Sequence, residues 1–154
     1  MIPASKLIPL ASEILVGFGD FCGMEILSMD NRRMTARMPL RKEFRNVHGF
    51  AHGGIIDTLM DTASGVLATF ASDPVCRVVT RSADIHFVRP LDGAYLQAEA
   101  QVIKCGRTCC LVETKVYDDQ GRVCTAGIFD QVYITLPGRD ELIEKIRALE
   151  EPDE

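Results

Sequence analysis

From Gly53 to about Phe70 the apolar residues Ile55, Ile56, Leu59, Met60, Ala63, Val66, Leu67 and Phe70 fall three and four apart. That spacing predicts one long helix with a broad apolar face, over about residues 53–70. Such a helix needs cover over most of its surface, and the sequence supplies it as strands. Extended segments run roughly from Val75 to Val88, Ala94 to Lys104, Arg107 to Tyr117 and Arg122 to Thr135. Turn chemistry at Pro90-Leu91-Asp92-Gly93, Cys105-Gly106 and Asp118-Asp119-Gln120-Gly121 separates them, and connections this short predict antiparallel neighbours in a four-strand meander. Upstream, Asp30-Asn31 between Cys22–Met29 and Arg32–Met38 predicts a hairpin. A short helix is expected at about 8–17, with Pro9 early in it and Gly17 and Gly19 ending it. An amphipathic helix is expected at about 140–150, carrying Leu142, Ile143, Ile146 and Leu149 on one face, with residues 150–154 fraying. The expected class is α+β: a curved antiparallel sheet wrapped around one long central helix, in a single domain spanning 1–154.

Size and charge narrow the function. A chain of 154 residues with 47% hydrophobic and 25% charged residues is long enough for one real core. Its net charge of −5 argues against a surface built to neutralise nucleic-acid phosphates. No window reaches the roughly 18 apolar residues of a membrane helix, and the N-terminus has no basic region before an apolar stretch, so a soluble cytoplasmic protein is expected. The six cysteines show no metal-ligand spacing and are expected as free thiols, because disulfide frameworks belong to short secreted chains.

The chemistry concentrates at the start of the long helix, in Asn46-Val47-His48-Gly49-Phe50-Ala51-His52-Gly53-Gly54-Ile55-Ile56-Asp57-Thr58-Leu59-Met60-Asp61. Gly53 and Gly54 place small residues where unpaired backbone N–H groups point outward and a ligand can come close, so an oxyanion would be stabilised there. The plainer alternative is a tight glycine turn with His52 capping the helix. Asp57 and Asp61, one turn apart on an otherwise apolar helix, need a partner or a raised pKa, which is either a catalytic arrangement or a structural carboxylate.

Asn46, His52-Gly53-Gly54 and Leu59-x-Asp61 resemble the signature of hotdog-fold acyl-CoA thioesterases, in the branch named for the phenylacetate-pathway (PaaI-like) thioesterase. The likeness continues through Thr80-Arg81-Ser82-Ala83-Asp84-Ile85-His86-Phe87-Val88-Arg89-Pro90, Lys104-x-Gly106-Arg107-Thr108 and Asp118-Asp119-Gln120-Gly121-Arg122-Val123, covering roughly residues 20–136 in order. It implies hydrolysis of an acyl-CoA to free acid and CoA. By the same resemblance Asp61 is the general base or nucleophile, and the Gly53 N–H polarises the thioester carbonyl. Asn46 positions the acyl group or the attacking water, Thr80 supports water or the acid, and His52 lies near the leaving sulfur. Gly54, Arg107 and Thr108 belong to substrate binding, the last two toward pantetheine and phosphates. Asp57 receives no role and reads as a first-turn carboxylate favoured by the dipole. No metal or redox cofactor is required. The implied assembly is a homodimer with shared active sites, arranged as a dimer of dimers.

Two other readings stay open. A hydratase or dehydratase of the same fold would pair His48 or His52 with Asp61, and a non-catalytic acyl-CoA-binding module would dispense with the acid. The acyl group is not identified, since Phe50, Phe70, Phe87 and Phe129 would serve an aromatic pocket, a fatty-acyl pocket or the core equally well.

Overall fold

The computed structural model describes residues 2, 4–72, 74–136 and 141–148. The chain begins with α1 (Ala4–Ile14) and the short α2 (Phe18–Phe21), followed by β1 (Glu25–Met29) and β2 (Arg33–Pro39). A 3-10 turn (Lys42–Phe44) precedes α3 (Gly53–Ala71). Strands β3 (Arg77–Phe87), β4 (Tyr95–Cys105), β5 (Cys109–Tyr117) and β6 (Val123–Ile134) follow, and α4 (Glu141–Ala148) closes the described chain. Asp140, Leu149 and residues 150–154, invoked for the last helix and its frayed end, lie outside the described residues.

All six strands form one antiparallel sheet in the order β1-β2-β4-β5-β6-β3, and α3 packs against it, touching β2 through β6. The helix buries Ile56, Leu59, Met60, Ala63, Ser64, Val66, Leu67, Ala68, Thr69 and Phe70. On its other side Gly54, Asp57, Thr58, Asp61, Thr62 and Gly65 stay partly or fully exposed. This stripe of small and polar residues is only partly covered, by Thr80 of β3 at Asp61 and by Gly19 of α2 at Thr62. At Gly127, in the middle of β6, a Cβ would lie 2.9 Å from the Asp84 carbonyl oxygen and 3.2 Å from Met60 Cε. The bare glycine is what lets the helix and β3 approach so closely.

Several expectations change. The four late strands are not a consecutive meander: β3 pairs with β6, not with β4, and only β4, β5 and β6 lie side by side in chain order. The connection through Pro90 crosses the sheet instead of closing a hairpin, because α3 must be covered on the side that β3 occupies. Helix α1 begins at Ala4 rather than near residue 8, so Pro9 lies inside it. Leu7, Leu10 and Ala11 are buried, and their packing outweighs the backbone bond that an exposed proline gives up. Gly17, with φ 73°, ends the run, and α2 starts immediately after it. The expectation of six free thiols is also corrected, since Cys105 and Cys110 are disulfide-bonded. They face each other across the β4–β5 hairpin with Cα atoms 4.1 Å apart, a proximity that their sequence spacing does not reveal.

A register shift in β3 prepares the site. Thr80 pairs with Gln131 and Ser82 with Asp130, so Arg81 is an extra residue, a bulge. The shift changes which residues face the helix. Val78 and Thr80 point inward before the bulge, Ile85 and Phe87 after it. Without the extra residue, Thr80 and Phe87 could not both address α3.

Candidate active site

The start of α3 is built by the loop before it. Asn46 Oδ1 accepts from the backbone N–H groups of His48 (2.9 Å) and Phe50 (3.2 Å), closing a turn in which Gly49 adopts φ 84°. Arg45 clamps that turn from below, donating to the Gly49 carbonyl (2.6 Å), Asp92 Oδ1 (2.6 Å) and the Gly93 carbonyl (3.1 Å). The guanidinium holds the Asp92 carboxyl below its ordinary pKa. Because Asn46 spends its carbonyl on the turn, its Nδ2 amide has no acceptor among the described residues and remains a donor.

His52 is the N-cap of α3, its Nδ1 accepting from the Gly54 N–H at 2.9 Å. The Gly54 N–H is therefore committed to the histidine, whereas that of Gly53 has no acceptor among the described residues. Phe87 lies against Gly53 so closely that a Cβ there would meet the ring at 3.3 Å. Asn46, His48, Gly53, Phe50 and Phe87 line one cavity of about 430 Å³.

Asp61 lines another. Two turns along α3, it borders a separate cavity of about 410 Å³ together with Thr62, Gly65, Thr80 and Gln131 and an aliphatic wall that includes Val78. The Thr80 hydroxyl donates to Asp61 Oδ1. Gln131 Nε2 donates in turn to Thr80 Oγ1 (2.9 Å) and Ser64 Oγ (2.8 Å), and Ser64 donates to the Asp61 carbonyl at 2.8 Å. The structure thus joins Asp61 to Thr80, and Asn46 to Gly53, but keeps the two pairs in different cavities.

Asp57 occupies the fifth position of α3 rather than its first turn, so the dipole argument does not reach it. It is half-buried, and burial followed by the charge of Asp61 pushes its carboxyl pKa upward. Arg107 and Thr108 sit exposed on the β4–β5 turn and line neither cavity. Three contributors escaped the sequence reading: Arg45, Ser64 and Gln131. Gln131 carried a signal, because strand alternation from Phe129 places it inward, where an amide is unusual. Among the described residues no group of three or more His, Cys, Asp and Glu could hold a metal ion, and no helix is long and apolar enough to cross a membrane.

The fold recurs in solved structures. PaaI of Escherichia coli, from the phenylacetic acid degradation operon, superposes with a TM-score of 0.77 at 22% identity, covering 86% of this chain and 96% of that one. The thioesterase HI1161 of Haemophilus influenzae gives 0.76 at 19% identity, over 90% and 95%. The smu.793 protein of Streptococcus mutans, solved bound to acetyl-CoA, gives 0.67 at 21% identity, over 72% and 88%. These likenesses show the hotdog fold. A protein of Halobacterium salinarum that carries the word esterase in its name is 31% identical over 105 residues, 65% of this chain and 69% of that one. The family model described as the thioesterase superfamily matches residues 48–125, half of the chain, from His48 through the whole of α3 and on to the start of β6. By fold and by sequence, the chain belongs to the thioesterase superfamily and is a thioester hydrolase.

Proposed function

We propose that the protein hydrolyses acyl-CoA thioesters at sites built by two copies of the chain, with Asp61 of one copy acting on a carbonyl held by Gly53 and Asn46 of the other. The observation that carries this reading is the division of the machinery between two cavities. Gly53 and Asp61 are 61 − 53 = 8 residues apart on one helix, about 12 Å at 1.5 Å per residue. No carbonyl carbon lies within about 3 Å of both. A second α3, antiparallel and related by a two-fold axis, would bring Gly53 of one chain beside Asp61 of the other. The partly exposed stripe of α3 and the mostly exposed edge strand β3 support such pairing. The S. mutans neighbour bound to acetyl-CoA supports the substrate class.

In this mechanism the thioester oxygen receives the Gly53 N–H and the Asn46 Nδ2 amide as the tetrahedral intermediate forms. Asp61, held by the Thr80 hydroxyl, takes a proton from the attacking water or attacks the carbonyl itself. Collapse expels the CoA thiolate, and where Asp61 itself attacked, water then hydrolyses the acyl-aspartate anhydride to the free acid and restores the carboxylate. With Nδ1 accepting from Gly54, a neutral His52 carries its proton on Nε2, where it can face the departing sulfur. The same bond removes Nδ1 as a base and weakens the hydratase reading. Arg107 and Thr108 serve the CoA end.

Release of free thiol from a panel of acyl-CoA esters, from short chains to phenylacetyl and hydroxyaryl forms, tests the activity. Asp61→Asn should lower turnover by about 10²- to 10⁴-fold. Co-expressed Asp61→Asn and Asn46→Ala chains should form a heterodimer with one site carrying both lesions and one carrying neither. That species recovers up to about half the wild-type rate, while each homodimer stays nearly inactive. Purified heterodimer with no recovery would return the whole site to one chain.

A further inference from the structure

Gln131 lies in the middle of β6, 1% exposed, directly opposite Thr80 in the register of β3 and β6. Its amide meets two hydroxyls, Ser64 Oγ at 2.8 Å and Thr80 Oγ1 at 2.9 Å from Nε2. Each hydroxyl has a single proton to give. Ser64 gives its proton to the backbone carbonyl of Asp61 and Thr80 gives its proton to the Asp61 carboxylate. Both oxygens are then acceptors toward Gln131, and an amide NH2 has one N–H for each. The Gln131 carbonyl oxygen is 3.2 Å from Thr80 Oγ1, but it competes for that proton against a carboxylate, which is the stronger acceptor.

We propose that Gln131 is a positioning residue that fixes the direction of this network: by donating to Thr80 and Ser64, it compels both hydroxyls to donate to residue 61, one to the side chain and one to the backbone. Gln131 itself touches no reacting atom. It acts through Thr80, keeping a proton aimed at the carboxylate so that Asp61 is held in a single rotamer. A carboxylate or an apolar side chain of similar size fits the same space without this effect. The inference rests on the assignment of Asp61 as the acting acid.

The test uses the full-length protein and the acyl-CoA ester it turns over fastest, with kcat and KM measured across pH. Gln131→Leu should lower kcat about tenfold, the order of one lost hydrogen bond, and leave KM unchanged. Gln131→Glu should lower it further and move the acidic limb of the kcat/KM profile to higher pH. Its carboxylate draws the Thr80 proton away from Asp61 and adds a like charge nearby. Asp57 on α3, whose carboxyl feels the charge of Asp61, and Arg77 on β3, which lines the same cavity, are present in every variant, so the limb is read as a difference from wild type. The double variant Gln131→Leu/Thr80→Val should be slower than Thr80→Val by far less than the roughly tenfold loss of Gln131→Leu alone, because Thr80 is the hydroxyl through which Gln131 reaches the carboxylate. This uncharged cycle decides the matter even if Gln131→Glu fails to fold. Additive losses in the cycle, or an unshifted limb in folded Gln131→Glu, overturn the proposal. Asp61→Asn, measured alongside, separates the two levels. Activity surviving in that variant removes the assignment of the acid, whereas an inactive Asp61→Asn beside unimpaired Gln131 variants removes only the role of Gln131.

Discussion

Replacing Gly127 by alanine tests how tightly the sheet must hold the helix for the site to exist. The backbone at Gly127 is not in the left-handed region, so alanine is conformationally acceptable and gains about 0.4–1 kcal/mol by restricting the unfolded chain. Against that, the new Cβ would lie 2.9 Å from the Asp84 carbonyl oxygen, 3.2 Å from Ile85 Cγ1 and 3.2 Å from Met60 Cε. Ordinary carbon contacts need about 3.5–4.0 Å. Met60 can swing aside, but Ile85 is β-branched and the Asp84 carbonyl belongs to the backbone of β3, held in register opposite β6. Relief therefore needs β3 to move by about half an ångström, and overpacking of this kind costs about 1–3 kcal/mol. The net expectation is a loss of about 0.5–2 kcal/mol, or roughly 1–8 °C in Tm for a domain of this size. Unfolding by heat and by denaturant, at one protein concentration, measures it. Strand β3 also carries Thr80 and Phe87, so kcat should fall at temperatures where the variant is fully folded. An alanine variant as stable and as active as wild type would refute the claim that this glycine sets the spacing of helix and strand.

Other outcomes can be checked more briefly. The raised carboxyl of Asp57 makes the native state bind its proton more tightly than the unfolded chain. Stability therefore falls as pH rises from the ordinary carboxylate range through the raised folded value, and stays lower above it. Asp57→Asn should be more stable than wild type at pH 8, by a margin that vanishes toward pH 4, and a margin independent of pH would show that the carboxyl does not titrate in this way. Arg107→Ala should raise KM for acyl-CoA with little change in kcat, and added salt should mimic it, since an exposed guanidinium near a phosphate is screened. An unchanged KM would remove Arg107 from the CoA contact. Unfolded without reductant, the protein should titrate as four thiols, those of Cys22, Cys76, Cys109 and Cys124, and as six after reduction.

The sequence by itself determined the elements whose cause is local. Apolar spacing defines α3 almost to the residue, because one helix face either is or is not continuous. The Asp30 turn is equally legible: its carboxylate accepts from the backbone of Arg32 and Arg33 at 2.7 Å each, a bond between near neighbours. The glycine pair beside His52 and the acid at position 61 also stand out, since they are chemically conspicuous at the start of an apolar helix. Only the tertiary structure decided the rest. Periodicity states that β3 is a strand but not that its partner is β6 rather than β4, because partner choice depends on which edge must cover α3. The bulge at Arg81, which turns Thr80 toward Asp61 and Phe87 toward Gly53, exists only in the register between two strands. The Cys105–Cys110 pair, the Arg45 clamp and the donation from Gln131 through Thr80 to Asp61 join residues far apart in the chain or opposed across a hairpin. Their partners are set by the packing of the whole sheet against the helix.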